Sequence, residues 1–285
     1  MSTHSTTGPR PALAHVRQAA GFAAAGAVGL YLAVKIIWVS AALVDGRGGG
    51  AEWIALNVDT VGMAGIGVAL GLALAMPWGA RLPARLVVFT AWVGAGFLVP
   101  TIPFMAVRAF IGDDGAEAET AMPAWHETLL VLGFGGMALG LAVAVPLYLL
   151  ERWPGSTART AKRVTPLWTV VGSVALAAVW AYWAAGGDIG MSGDAVLASP
   201  DRLLLANSAL WALIGAVATR VPALCFIASG SLFAWCSWKL LATATAPGGF
   251  APAELLPVAV VEYGLGAAVG AAMLAGLVRA YRLLL

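Results

Sequence analysis

The sequence predicts an all-α fold: a polytopic membrane bundle of about eight transmembrane helices, built from four repeated hairpins. Three observations predict it. The composition is 61% hydrophobic and 11% charged, with mean hydropathy +0.88, whereas a soluble domain carries about 25% charged residues. The apolar residues fall into runs close to the roughly 20 that a helix needs to cross a bilayer. The charges gather at the ends of those runs, and basic residues concentrate at alternate ends.

Taken in order, residues 1–19 are polar and contain Ser, Thr and Pro, which predicts a disordered cytoplasmic tail. The first run, Ala20–Leu43, is longer than the roughly 7–15 apolar residues of a cleaved signal peptide, so it reads as a retained helix. The second, Ile54–Met76, is rich in glycine. The third, Leu86–Ile111, contains Pro100 and Pro103, which remove backbone donors and predict a kink. The fourth is Glu127–Leu150, and the fifth, Pro166–Ala185, ends in Trp180, Tyr182 and Trp183. The sixth and seventh, Leu203–Thr219 and Val221–Thr243, are separated by Arg220-Val221-Pro222, a tight break because proline disfavours helix in the residue before it. The eighth is Leu255–Ala280. Together they form one transmembrane domain, residues 20–285, with hairpins 20–76, 86–150, 166–219 and 221–280. The acidic stretch Gly112–Thr120 reads as a solvated linker, with a lid as the alternative.

Orientation follows from the basic residues. One side holds eleven of them (Arg10, Arg17, Arg81, Arg85, Arg152, Arg159, Lys162, Arg163, Arg220, Arg279 and Arg282) with Glu151 its only acid. The other side holds five, Lys35, Arg47, Arg108, Arg202 and Lys239, against thirteen acids. The expectation is a multi-pass protein of the bacterial cytoplasmic (inner) membrane with both termini inside.

Gly67-x-x-x-Gly71 and Gly266-x-x-x-Gly270 let helices approach closely, and the motif suits packing within the chain better than a homodimer seam. Cys225 and Cys236, eleven apart in one apolar helix, read as small core residues.

Even-numbered helices begin with a polar pair: Asp59-Thr60, Glu127-Thr128, Asn207-Ser208 and Glu262-Tyr263. Odd-numbered helices place a cation near aromatics: Lys35 with Trp38, Arg108 with Phe104 and Phe110, and Lys239 with Trp235 and Trp238. By the helical rise, Lys35, Asp59, Lys239 and Glu262 all lie roughly 6–12 Å inside the outer helix ends. Lys35–Asp59, Arg108–Glu127 and Lys239–Glu262 are therefore candidate ion pairs, one per hairpin, with Asn207 as an uncharged substitute in the third. Two readings stay open: pairs that only fix hairpin register, or four polar ends converging on one pocket lined by Asp59, Glu127, Asn207 and Glu262, as sites at repeat interfaces do.

Twelve tryptophans divide into two groups. Trp53, Trp78, Trp125, Trp153 and Trp168 sit at helix ends, where indole rings prefer the headgroup level. Trp38, Trp92, Trp180, Trp183, Trp211, Trp235 and Trp238 lie within spans, as packing residues or as walls of a pocket. Ring faces stabilise cations, and a carboxylic acid in an apolar site can hold a proton to donate. Acids plus aromatic walls suit protonation of an alkene or epoxide, followed by guidance of the carbocation. Other chemistries lack their signatures: there is no His-Glu-x-x-His, phosphate-binding glycine loop, Cys-x-x-Cys or Gly-x-Ser-x-Gly. Of the three histidines only His126, beside Glu127, is placed to join a site, so no metal and no cofactor is expected.

The segments Tyr31-Leu-Ala-Val-Lys35-Ile-Ile-Trp38 and Ala181-Tyr-Trp183-Ala-Ala-Gly186-Gly187 resemble the Trp-ending helices of small uncharacterised membrane proteins of high-GC bacteria. In architecture and chemical character the chain is also similar to the integral-membrane terpene cyclases. That similarity implies cyclisation of a prenylated substrate without metal, and it assigns no individual residue.

Three functions are therefore weighed. The first is a membrane-embedded, metal-independent terpene cyclase with Asp59, Glu262 and Glu127 as candidate acids. Its candidate substrate-binding groups are Trp38, Trp180, Trp183, Asn207, Trp235, Trp238 and Tyr263, and its charge partners Lys35, Arg108 and Lys239. The second is a small-molecule or proton-coupled transporter gated by the same charges. The third is a non-catalytic membrane protein. The expected partners are the lipid bilayer and a hydrophobic small molecule, with no nucleic acid; a homodimer stays open.

Overall fold

In the computed structural model, residues 11–45, 51–111, 124–152, 165–193, 197–246 and 250–281 are described. The fold over these residues is all-helical: α1 (Pro11–Asp45), α2 (Ala51–Ala75), α3 (Ala84–Leu98), α4 (Thr101–Ile111), α5 (Ala124–Arg152), α6 (Leu167–Ala184), α7 (Ser199–Val217), α8 (Pro222–Thr245) and α9 (Leu256–Tyr281). A 3-10 turn, Pro77–Arg81, links α2 to α3. In lipid every backbone N–H and C=O must be satisfied inside its own segment, which helices achieve.

Seven segments are long and apolar enough to cross a membrane, so the chain is a multi-pass membrane protein by length and composition. The expected third span is one of them, broken where predicted: α3 ends at Leu98 and α4 restarts at Thr101. Pro100 has no N–H to give the Gly96 carbonyl, and the Thr101 hydroxyl bonds the Leu98 carbonyl (2.6 Å) instead. The expected sixth span forms as α7, but Asp201, Arg202, Asn207 and Ser208 make it less apolar than the seven. One boundary departs clearly from expectation. Helix α1 starts at Pro11, so residues 11–19, expected to be disordered, are helical. Residues 1–10 and the acidic loop Gly112–Thr120 lie outside the described residues.

Arg17 ties the start of α1 to its neighbours. Its Nε pairs with Glu151 of α5 at 2.8 Å, the one ion pair among the described residues, and its Nη1 donates to the Leu74 carbonyl of α2. Arg152 ties the same end, donating to the Ala80 carbonyl and the Tyr148 hydroxyl, both at 2.9 Å.

Apart from α4, which continues α3 and touches α5 and α7, the helices form two groups of four. In the first, α1 lies between α2 and α5, and α3 closes the group against α5. In the second, α6 pairs with α7 and α8 with α9, while α6–α9 and α7–α8 contacts complete the ring. The groups join mainly along α3 and α8. These two helices run side by side in one direction, Trp92 donating to the Ser229 hydroxyl (3.0 Å) and Phe97 meeting Trp235 edge to face. Their closest approach is at Gly96, where an added Cβ would lie 2.1 Å from the Gly230 carbonyl carbon. Gly71 meets Gly21 and Ala25 of α1, and Gly270 meets Ser229 and Phe233 of α8, so both Gly-x-x-x-Gly motifs serve packing within the chain.

Candidate functional site

The predicted site residues separate into two clusters, one in each group of four helices. The first lies between α1, α2 and α5. Helical spacing puts Tyr31, Lys35 and Trp38 on one face of α1. Lys35 is 7% exposed and donates to Asn57 Oδ1 at 2.8 Å. Its ammonium lies 5.6 Å from the Tyr31 ring centre and 5.5 Å from that of Trp38. His126 stacks on Trp38 at 4.8 Å, and Trp125 meets Trp38 edge to face at 5.3 Å.

The second cluster lies between α6, α8 and α9. Glu262, 5% exposed, accepts a hydrogen bond from Trp180 Nε1 at Oε1, while its Oε2 has no hydrogen-bond partner. Lys239 lies over the Tyr263 ring, 4.8 Å from its centre, and the Tyr263 hydroxyl donates to Glu254 Oε2 at 2.8 Å. Glu254 precedes α9 and is itself 5% exposed.

Local structure explains how these groups are held. Helix α6 ends in a Schellman turn: Gly187 N–H bonds the Tyr182 carbonyl and Gly186 N–H bonds that of Trp183, with Gly186 at φ +98°. The chain then folds back over the helix end. Ser192 N–H bonds the Ala253 carbonyl, Leu255 N–H bonds the Gly190 carbonyl, and Trp183 Nε1 bonds that of Ile189, all near 2.9 Å. This strap fixes Glu254 above Tyr263. A groove of about 360 Å³ runs between α6 and α9, lined by Leu176, Val179, Trp183, Val258, Val261, Leu265 and Glu262. Its volume falls in the roughly 300–1,000 Å³ range of small-molecule pockets. Ala175, Val179, Pro257 and Val261 on its rim are exposed, so it opens sideways from the bundle.

Several expected arrangements are corrected. Lys35 does not pair with Asp59: Asn57 faces it, and Asp59, two residues on and so about 200° round the helix, is exposed. Lys239 and Glu262 make no ion pair, because the cation turns to the Tyr263 ring and the acid to Trp180. The contacts that form instead, Lys35 to Asn57 and Lys239 to the Tyr263 ring, still join the two helices of each hairpin. Arg108 is exposed on α4, and the side chain of Glu127 lies outside the described residues, so their pairing is not addressed. Asp59 and Glu262 lie in different groups of helices, since α2 packs against α1, α3 and α5 and α9 against α6 and α8, and Asn207 is half-buried on α7. Trp235 packs on Phe97, and Trp238 on Trp235 and Phe250. Both lie off the α8 face that carries Cys236 and Lys239 toward α9, and so outside the groove.

Trp180, Trp183, Tyr263, Lys239 and Glu262 do come together. Asn57 and Glu254 were missed in the sequence. Asn57 is a polar residue in an apolar run, a signal overshadowed by Asp59. Glu254 lies just ahead of the apolar run and reads as a loop acid.

Among the described residues no group of three or more His, Cys, Asp or Glu side chains is arranged to hold a metal ion. Comparison with protein-family models, curated proteins and solved structures finds no match.

Proposed function

We propose that this protein admits a lipid-dissolved, prenylated small molecule sideways between α6 and α9 and cyclises it by protonation. The observation that carries this reading is Glu262: a nearly buried carboxyl, free of any ion pair, with one oxygen bonded by Trp180 and the other unpartnered, lining an apolar groove open to the side. A carboxylic acid in an apolar site can hold a proton and give it to a weak base. The O–H bond of Glu262 breaks as a C–H bond forms at a substrate alkene, or an O–H bond at an epoxide oxygen. The resulting carbocation lies beside Trp183, whose ring face stabilises positive charge. Ring closure and return of a proton to the Glu262 carboxylate complete an isomerisation that needs no other reactant. Trp180 holds the carboxyl in place throughout.

The same proposal carries the membrane assignment further, to a bacterial cytoplasmic membrane with both termini inside, on the eleven-to-five distribution of basic residues.

The test is chromatography with mass detection on membranes containing the protein, supplied with prenylated and epoxidised substrates. A new retention time at unchanged mass is expected, lost in Glu262→Gln and retained in Asp59→Asn. Product formation that survives Glu262→Gln overturns the assignment.

A further inference from the structure

The cluster between α1, α2 and α5 lies apart from the groove and has an unmet requirement of its own. Lys35 is 93% buried by its exposure of 7%, and no carboxylate among the described residues pairs with it. Its ammonium has three N–H groups, of which one goes to Asn57 Oδ1. The Tyr31 and Trp38 rings offset part of its charge but accept no conventional hydrogen bond. His126 shares this aromatic box, stacked on Trp38 and 6.5 Å from Tyr31 between ring centres. It is 1% exposed, and its Nε2 is buried without a hydrogen-bond partner.

Two nitrogen groups around the same pair of rings therefore have unused hydrogen-bonding capacity, the Lys35 ammonium and His126 Nε2. A buried cation at membrane depth is costly unless paired, and an unpartnered buried polar atom is rare and calls for an explanation. Their level also matters. His126 is in the first turn of α5, next to Trp125, which is half-exposed as an interfacial anchor would be. Amphiphiles with acidic heads present both acceptor oxygens and a negative charge at that level.

We propose that Lys35 and His126 form a binding site for the anionic headgroup of an amphiphile, Lys35 Nζ and His126 Nε2–H donating to its oxygens at the mouth of the aromatic box. A fatty-acid carboxylate and a phospholipid phosphate share this chemistry. The site is independent of Glu262 and of the cyclisation reading.

Native mass spectrometry of the full chain in an uncharged detergent tests it. One arm supplies oleate against oleyl alcohol, the other dioleoyl phosphatidylglycerol against dioleoyl phosphatidylcholine. A preference of about tenfold or more for the anionic member is expected in at least one arm, and the arm that shows it identifies the source. Lys35→Met abolishes the preference and Lys35→Arg retains it. His126→Phe, which keeps the stack on Trp38 but removes the nitrogen, weakens it several-fold. Glu262→Gln leaves it unchanged. Equal retention of charged and uncharged members by the wild type overturns the proposal, as does a preference untouched by His126→Phe and Lys35→Met. Should Lys35→Met fail to fold, the wild-type preference and His126→Phe decide.

Discussion

Glu262 and Trp180 act as one unit, because each leaves the other a buried polar atom if it is removed. Trp180→Phe keeps most of the ring and deletes the N–H, leaving Glu262 Oε1 without its donor. Leaving such a group unsatisfied costs about 1–3 kcal/mol. The expected result is a lower melting temperature, and a rate of isomer formation reduced roughly tenfold to a hundredfold. Trp235→Phe, at a residue packed on Phe97, leaves the rate near wild type. Equal rates for the two variants would remove Trp180 from the site. The neighbours of Glu262 were largely legible in the sequence, since depth along a helix follows from counting residues. Azimuth did not follow. Asp59 lies at the right height but faces outward, and Asn57, about 200° away, takes its place beside Lys35. Trp235 and Trp238 were misassigned for the same reason. They sit on α8 beside Cys236 and Lys239, yet turn toward α3 and Phe250. Glu254 was hidden because a strap of backbone hydrogen bonds, which no spacing rule encodes, fixes it over Tyr263.

The contact between α3 and α8 joins the two groups of helices, and it rests on the absence of side chains. Between apolar helices in lipid there is no hydrophobic driving force, so close backbone packing supplies the attraction. An added Cβ at Gly230 would lie 2.4 Å from the Trp92 carbonyl oxygen, which cannot move without displacing α3. Gly230→Leu therefore destabilises by at least the 1–3 kcal/mol typical of overpacking, about. Gly62→Ala is the matched control: a Cβ there meets nothing within 4 Å, and alanine improves helix propensity by up to about 1 kcal/mol. Thermal unfolding in detergent should separate the two variants in opposite directions. A Gly230→Leu protein as stable as Gly62→Ala would show that the crossing tolerates separation. Here the sequence was strong on elements and silent on partners. Every expected apolar run became helix, with the break at Pro100 included, because apolarity over about 20 residues leaves the backbone few alternatives. Nothing in Gly94-Ala95-Gly96 or Ser229-Gly230-Ser231 said that these short segments face each other. The stretch 11–19 departs from expectation because only His15, Arg17 and Gln18 in it are polar, its alanines and Leu13 favour helix, and Arg17 secures it to Glu151 and Leu74 on other helices.

At the scale of the molecule the number of crossings turns on α7, which runs back between α6 and α8 because α3 and α8 run in one direction. Seven segments qualify as spans on length and apolarity; with seven crossings the termini would lie on opposite sides, with eight on the same side. The 19 residues of α7 reach about 28 Å at the helical rise, close to the roughly 30 Å hydrocarbon core. It packs along α6 on one side and α8 on the other, so its polar face need not meet lipid. Its charged residues, Asp201 and Arg202, lie in the first turn, where they reach the headgroup level, and the Asp201 carboxylate accepts the Ala198 N–H at 3.2 Å. These features favour a crossing, which puts the exposed Arg220 on the side opposite Asp188. Cysteine labelling with a membrane-impermeant maleimide in spheroplasts reads this directly, because Cys225 and Cys236 are both buried. Asp188→Cys is expected to label in intact spheroplasts, and Arg220→Cys only after lysis. Labelling of both before lysis would mean that α7 returns to the side it came from, placing α8 and α9 in the reverse orientation and the C-terminus outside.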